Sequence, residues 1–137
     1  MALAGPLGAG KTTFVRHLLR GLGVSGRIKS PTYAVLEPHE VAGLSISHLD
    51  FYRFADPREW EDAGLRDVFA QPGLKLAEWP DRAGGMLPTP DLRLHLEPLG
   101  EVPQEPRRVR AEALTPRGLA LLEALEPGQA REMADAA

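Results

Sequence analysis

Cysteine is missing from the chain altogether, which excludes disulfides, zinc–thiolate sites and a thiol nucleophile together. A basic excess is missing too: 16 Lys and Arg stand against 19 Asp and Glu, a formal net charge of −3. No positive field therefore advertises direct contact with a nucleic-acid backbone. No apolar run approaches the ~20 residues that a bilayer-crossing helix needs. The first residues carry no basic stretch ahead of an apolar one, so no signal peptide is expected, and a cytoplasmic location is. The histidines His17, His39, His48 and His95 are scattered without metal-ligand spacing and read as structural or surface residues. Internal repeats and low-complexity tracts are also absent.

What is present is a chain of 137 residues with 43% apolar and 26% charged residues, ordinary for one soluble domain with a sizeable core. Its organising stretch is Gly5-Pro6-Leu7-Gly8-Ala9-Gly10-Lys11-Thr12, the GxxxxGKT pattern of a phosphate-binding loop. Gly5 and Gly10 let the backbone turn sharply and approach a polyphosphate, so that loop amides form an anion nest. The helix that follows adds the positive end of its dipole. Lys11 is expected to set its ammonium on the β- and γ-phosphates, and the Thr12 hydroxyl is a hard ligand for Mg²⁺. Phe14, Val15, Leu18, Leu19 and Leu22 then form an apolar helical stripe, stopped at Gly21 or Gly23. Only Met1 to Ala4 precede the loop, enough for a strand of at most about 13 Å.

Arg27-Ile28-Lys29 reads as a short strand. It is followed by Ser30-Pro31-Thr32-Tyr33, where Pro31 disfavours helix at Ser30. Thr32 has two readings: a switch hydroxyl that reaches the metal or the γ-phosphate, or a hydroxyl that satisfies a turn. Ala34 to Glu37 and Leu44 to Leu49 are strand-like about a turn at Ala42-Gly43, and the second ends on Asp50. Asp56 caps a short helix with Pro57 at its first position and Glu59 completing a capping box. Gly64 ends that helix, and Glu59, Glu61 and Asp62 form a solvated face. Gly73 to Glu78 is a second apolar strand ending on a carboxylate, stopped by Pro80; Trp79 either packs over the site and excludes water or, the preferred reading, is a core residue. Asp50 and Glu78 together suit a nucleotide hydrolase, one fixing the metal and one ordering or activating water. Leu87 to Pro90 links to an alternating strand over Asp91 to Glu97. After a polar connection, Gly100 to Pro106, comes an antiparallel partner over Arg108 to Ala113. A helix from Thr115-Pro116 carries Leu119, Leu122 and Leu125 on one side, and residues 127–137 form a frayed tail.

In order, Gly5 to Phe14, Lys29-Ser30-Pro31-Thr32-Tyr33 and His48-Leu49-Asp50-Phe51-Tyr52-Arg53 with Asp56-Pro57 form one set. It continues with Glu61-Asp62-Ala63-Gly64-Leu65, Glu78-Trp79-Pro80 and Leu87-Pro88. This set resembles the TsaE family of small bacterial P-loop ATPases required for threonylcarbamoyladenosine modification of tRNA. The resemblance covers residues 1 to about 125 and implies an α/β fold, a P-loop NTPase-like mixed β-sheet flanked by helices, as a single domain over residues 1–126. It implies ATP at Leu7, Gly8, Ala9, Gly10, Lys11, Thr12 and Thr13, and Mg²⁺ at Thr12 and Glu78. Asp50 is the second acidic group, and Lys11, Asp50 and Glu78 are the catalytic set. The partners implied are the threonylcarbamoyl transferase subunit and its own partner subunit, with tRNA met only indirectly and no membrane. Two departures stand out: the family usually has Asp where Pro6 stands, and it carries a further segment ahead of the loop, part of which contacts the base. Either residues precede Met1 in the full protein, the preferred expectation, or the chain holds ATP by its phosphates alone and weakly.

Two other classes remain open on residues alone. A small-molecule kinase also pairs a P-loop with an Asp, but it needs a lidded substrate cavity with arginines over the phosphates. Between Tyr33 and Glu78 only Arg53, Arg58 and Arg66 are present. A non-catalytic adaptor would bind nucleotide only to dock on a partner.

Overall fold

In the computed structural model of the chain, residues 1–56, 58–99 and 107–124 are described. Pro57 of the expected helix start, the connection from Gly100 to Pro106, Leu125 and the tail lie outside them. The elements, in order, are β1 (Ala2–Ala4), α1 (Lys11–Leu22), β2 (Leu36–Val41), β3 (Leu44–Asp50), α2 (Glu59–Asp62), α3 (Leu65–Ala70), β4 (Leu74–Glu78), a 3-10 segment (Pro80–Met86), β5 (Leu92–Pro98), β6 (Arg107–Ala113) and α4 (Pro116–Glu123). The fold is α/β, with parallel and antiparallel strand pairs mixed. The chain divides into two compact units, residues 12–88 and residues 1–11 with 89–137.

In the unit of residues 12–88, β2 and β3 form an antiparallel hairpin from Leu36↔Leu49 to Val41↔Leu44. Ala42 and Gly43 both have positive φ, 49° and 82°, the signature of a two-residue turn whose twist matches its strands. β3 runs parallel to β4, ending in register at Asp50↔Glu78. Leu49, Phe51, Phe54, Trp60, Leu65, Ala77 and Ala83 form the core beside them, with the Phe51 and Phe54 rings edge-to-face at 5.1 Å. Large apolar side chains buried this fully contribute about 1.5–3 kcal/mol each. α1 buries Val15 and Leu19 from its stripe. It ends in paired bonds, Gly23 N–H to Arg20 O and Val24 N–H to Leu19 O, with Gly23 in the left-handed region.

Several local expectations are corrected here. Arg27 to Lys29 form no strand; the run leaves Gly26 at φ 80° and meets the turn at Pro31, so Ile28 is buried as an isolated apolar anchor. β2 starts at Leu36 and not Ala34, because Val35 has φ 68° and its N–H closes a turn on Pro31 O at 2.7 Å. Before α2, Asp56 Oδ1 accepts from Arg58 N–H, but Glu59 Oε1 accepts from Ala55 N–H. That is one residue before the amide a capping box uses. α3 went unpredicted since its six residues hold less than two turns of periodicity, as did the 3-10 segment, which is broken at Gly84.

In the other unit, β1 pairs in parallel with β5, Ala2↔Arg93 to Ala4↔His95. β5 pairs antiparallel with β6, Leu92↔Ala113 to Pro98↔Arg107. Leu92, Leu94 and Leu96 are buried, as the alternation required. Thr115 caps α4, its hydroxyl oxygen accepting from Gly118 N–H at 3.0 Å and donating to Asp91 Oδ1 at 2.6 Å. Of the expected leucine face, Leu119 is 53% exposed and Leu122 half-buried, while Gly118 is buried. A Cβ at Gly118 would collide with the Asp91 carbonyl, so α4 docks there by close backbone approach.

Gly118→Ala is therefore expected to destabilise the protein by about 2–3 kcal/mol, and Thr115→Ala by only about 1 kcal/mol. Urea unfolding of both variants checks this. A smaller loss for Gly118→Ala than for Thr115→Ala would show that α4 does not depend on that close approach.

Candidate functional site

The loop from Gly5 to Lys11 leaves β1 and enters α1. Gly5 lies so close to β5 that a Cβ would collide with the Leu96 carbonyl, which makes glycine the only residue that fits. Ala9 is fully buried, its N–H bonded to Pro6 O at 3.1 Å, whereas Leu7 is 73% exposed. Gly8 and Gly10 carry the positive φ values, 79° and 97°, that turn the loop. Lys11 is buried, only 4% exposed, and its Nζ donates to Gly5 O and to Pro6 O at 3.0 Å. The ammonium is thus folded under its own loop, onto the carbonyls of Gly5 and Pro6.

Arg107 belongs to the same loop, a contact that sequence reading missed. Its Nε donates to Ala9 O at 3.2 Å across 98 residues of chain. Nothing local marks it. Only the β5–β6 register, which sets Arg107 opposite Pro98, brings the first residue of β6 to the loop.

The unit of residues 12–88 carries the acid groups. Because β3 and β4 are parallel and in register at Asp50↔Glu78, the two strand-end carboxylates stand side by side on one face. Glu78 is 1% exposed, and both its oxygens are held: Oε1 accepts from Thr12 Oγ1 at 2.7 Å and Oε2 faces His48 Nε2 at 2.6 Å. Asp50 is 4% exposed. Its Oδ1 accepts from Tyr52 N–H at 2.8 Å and its Oδ2 from the Thr32 hydroxyl at 3.3 Å. Ser30 Oγ lies 2.8 Å from Thr32 Oγ1. The Asp50 N–H is itself bonded to Val35 O at 2.9 Å. A β-branched residue at φ 68° is strained by about 1–3 kcal/mol, and that strained carbonyl anchors the end of β3.

Thr12, Thr32, Asp50 and Glu78, all expected at the site, therefore meet, with Thr12 on Glu78 and Thr32 on Asp50. Thr13 is exposed on the first turn of α1. His48, read as structural or surface, is fully buried against Glu78. The signal that locates it is period two: His48 stands two residues before Asp50, on the same face of β3. Trp79, read as core, is half-buried and packs against the hydrophobic cluster of this unit; it has φ 54° and meets Tyr52 at 5.0 Å between ring centres. Burial pushes the Asp50 carboxyl above the usual aspartate value, and Glu78 beside it adds to this. The bonds from the Tyr52 amide and the Thr32 hydroxyl pull the other way, as does His48.

Chemically, a hydroxyl whose proton is committed to a carboxylate presents only lone pairs outward. Thr12 is in that condition, one residue after a buried lysine on a glycine-turned loop. This combination places the chain in the class of P-loop α/β proteins. The family model described as "Threonylcarbamoyl adenosine biosynthesis protein TsaE" matches residues 1–108, and the chain belongs to the TsaE family. Among curated relatives, a "tRNA threonylcarbamoyladenosine biosynthesis protein TsaE" from Haemophilus influenzae is 45% identical over 69% of this chain and 60% of its own length. Proteins of the same name from Bacillus subtilis and Treponema pallidum are 35% and 34% identical, over 77% and 74% of this chain and 65% and 74% of their own lengths. The chain thus spans less than two thirds of the first two. The crystal structure of YdiB from Bacillus subtilis matches with a TM-score of 0.70 and 28% identity, over 89% of this chain and 72% of that one.

The raised pKa of Asp50 has a consequence for stability. A carboxyl whose folded pKa lies above its unfolded value holds more protons in the folded state, so stability is lost as pH rises through that interval. Asp50→Asn removes the ionisation and keeps an oxygen for the Tyr52 amide. It is expected to raise the melting temperature at pH 7 and to leave it nearly unchanged near pH 3. Thermal melts at both values check this, and a lower melting temperature at pH 7 would contradict the burial cost.

Proposed function

We propose that this protein is a Mg²⁺-dependent ATP-binding protein and ATP hydrolase that supports N6-threonylcarbamoyladenosine modification of tRNA in the cytoplasm. In this reading it acts with a threonylcarbamoyl transferase subunit and that subunit's own partner, and it meets tRNA only through them. Membership of the TsaE family and the shared name of the relatives support the pathway. The single observation that carries the nucleotide chemistry is the 2.7 Å bond from Thr12 to Glu78, at the second residue of the helix that the phosphate loop opens.

The residues fit the group they would hold. Among the described residues no three His, Cys, Asp or Glu converge as a metal cage. Mg²⁺ held with a nucleotide asks for less, one or two protein oxygens with phosphates and water completing the shell. Thr12 Oγ1 and Glu78 are those oxygens. When bound, Mg-ATP supplies a phosphoanhydride to be cleaved and a divalent charge that stabilises its transition state. Backbone amides from Leu7 through Thr13 receive phosphate oxygens at the N-terminus of α1. Lys11, whose Nζ donates to the carbonyls of Gly5 and Pro6, would set its ammonium on the phosphates, where the acceptors are anionic. Asp50, tied to Thr32, orients the attacking water and takes up its proton, a role to which its raised pKa is suited. Of the two readings of Thr32, the bond to Asp50 favours the switch.

The kinase reading finds less support. One cavity in the same unit, of about 360 Å³, is lined by Trp60, Arg66, Phe69, Ala70, Met86, Leu87 and Pro88, and another, of about 430 Å³, by Asp56, Arg58, Glu59, Glu61 and Asp62; none of these is a site residue. Arg66, the cation of the first, donates to Glu61.

Lys11→Ala is expected to weaken Mg-ATP and Mg-ADP binding at least about tenfold, the loss of charge-assisted bonds to phosphate, with the circular dichroism spectrum unchanged. Calorimetry measures it, and wild-type affinity in this variant would overturn the phosphate-loop assignment. Hydrolysis should appear when the transferase subunits are added and vanish in Asp50→Ala with nucleotide still bound. Nucleotide binding without turnover, with and without those subunits, would identify a non-catalytic adaptor instead.

A further inference from the structure

His48 has no part in the chemistry above, yet no polar side chain among the described residues is more deeply buried. It is fully inaccessible on β3, and its Nε2 lies 2.6 Å from Glu78 Oε2, while its Nδ1 finds no partner among the described residues. Those two facts fix the imidazole proton on Nε2. A bare lone pair at Nδ1 is tolerated in an apolar core more cheaply than an unbonded N–H. Even so, an imidazole with one idle nitrogen is a poor core residue. Its in-register neighbour Leu76 is apolar and fully buried, and an apolar side chain at position 48 would avoid the desolvation cost.

That cost has a function if the imidazole acts through Glu78. A carboxylate bonded only to Thr12 keeps freedom about its last torsion, which is soft. A second donor on the opposite oxygen removes that freedom and holds Oε1 toward the Thr12 hydroxyl. We infer that His48 is a positioning residue: its Nε2–H locks the Glu78 carboxylate so that Glu78 and Thr12 present a preformed pair of oxygens to Mg²⁺. This rests on the reading of Glu78 and Thr12 as the metal side of the nucleotide site. Partners of this kind, one bond removed from a metal, orient the groups that touch it.

The test reads binding and not turnover: Mg²⁺ is titrated against a fixed concentration of a fluorescent ADP analogue, using the full chain. His48→Leu is expected to raise the half-saturating Mg²⁺ about tenfold or more, and His48→Gln, which keeps a donor at the Nε2 position, to stay within about threefold of wild type. In a Glu78→Gln background His48→Leu should add no further shift, since the imidazole acts only through that carboxylate. A residue that merely fills the core would shift both backgrounds equally, and that result would overturn the inference. So would a folded His48→Leu with wild-type Mg²⁺ dependence beside a shifted Glu78→Gln. If Glu78→Gln itself binds as wild type does, the metal-side reading fails and the inference with it. Should the leucine variant not fold, His48→Met, also without a donor, takes its place.

Discussion

The grip on one carboxylate, that of Glu78, governs the arrangement of this molecule. A fully buried Glu is costly unless each oxygen has a donor, and here Thr12 holds one and His48 the other. Those two donors come from α1 and β3 respectively, and Glu78 ends β4. Satisfying a single side chain thus fixes where the helix start and two strand ends must stand. The core is consistent with this demand: Leu49 and Ala77, the residues before Asp50 and Glu78, point to the opposite face and into the cluster built on Phe51, Trp60 and Leu65. One face of the β3–β4 pair is spent on packing, and its strand ends are left for charge.

Asp50 stands in the same row under a different regime. Its two acceptors are met by a backbone amide and a hydroxyl, neutral donors that stabilise a buried charge less than an ionic partner does. Burial raises its pKa, and those bonds offset the rise only in part. The Val35 carbonyl that anchors its backbone comes from a residue at φ 68°. Backbone strain, a raised pKa and a neighbouring threonine on a turn thus coincide within one short stretch, from Ser30 to Asp50. Stability is given up there to keep a buried carboxyl at the end of β3.

Much of this was legible in the chain. The GxxxxGKT pattern located the loop and the start of α1, because glycine spacing and a lysine–threonine pair have one strong physical use. Alternation in Leu44–Leu49 and Leu92–Leu96 identified β3 and β5, and two carboxylates ending apolar strands were visible as a pair. Relations that need register were not legible. Which carboxylate faces Thr12 follows from the three-dimensional path of α1 against β4, and no spacing encodes it. Arg107 reaches the loop across 98 residues. His48 was hidden by its residue type, since a lone histidine in a strand more often fills space than orients a ligand. Local errors had local causes. Val35, a good strand former, was overridden by the turn at Pro31, and the close approach of α4 through Gly118 leaves no mark in its leucine spacing.

The account stands on Thr12 and Glu78 forming the metal side of a phosphate-loop site. The most direct measurement is anomalous diffraction from crystals of the protein grown with ADP and Mn²⁺ in place of Mg²⁺. The account predicts a single manganese peak about 2 Å from Thr12 Oγ1, with Glu78 bound to it directly or through one water. A peak bonded to Asp50 and remote from Thr12, or nucleotide in the loop with no manganese near the helix start, would contradict it.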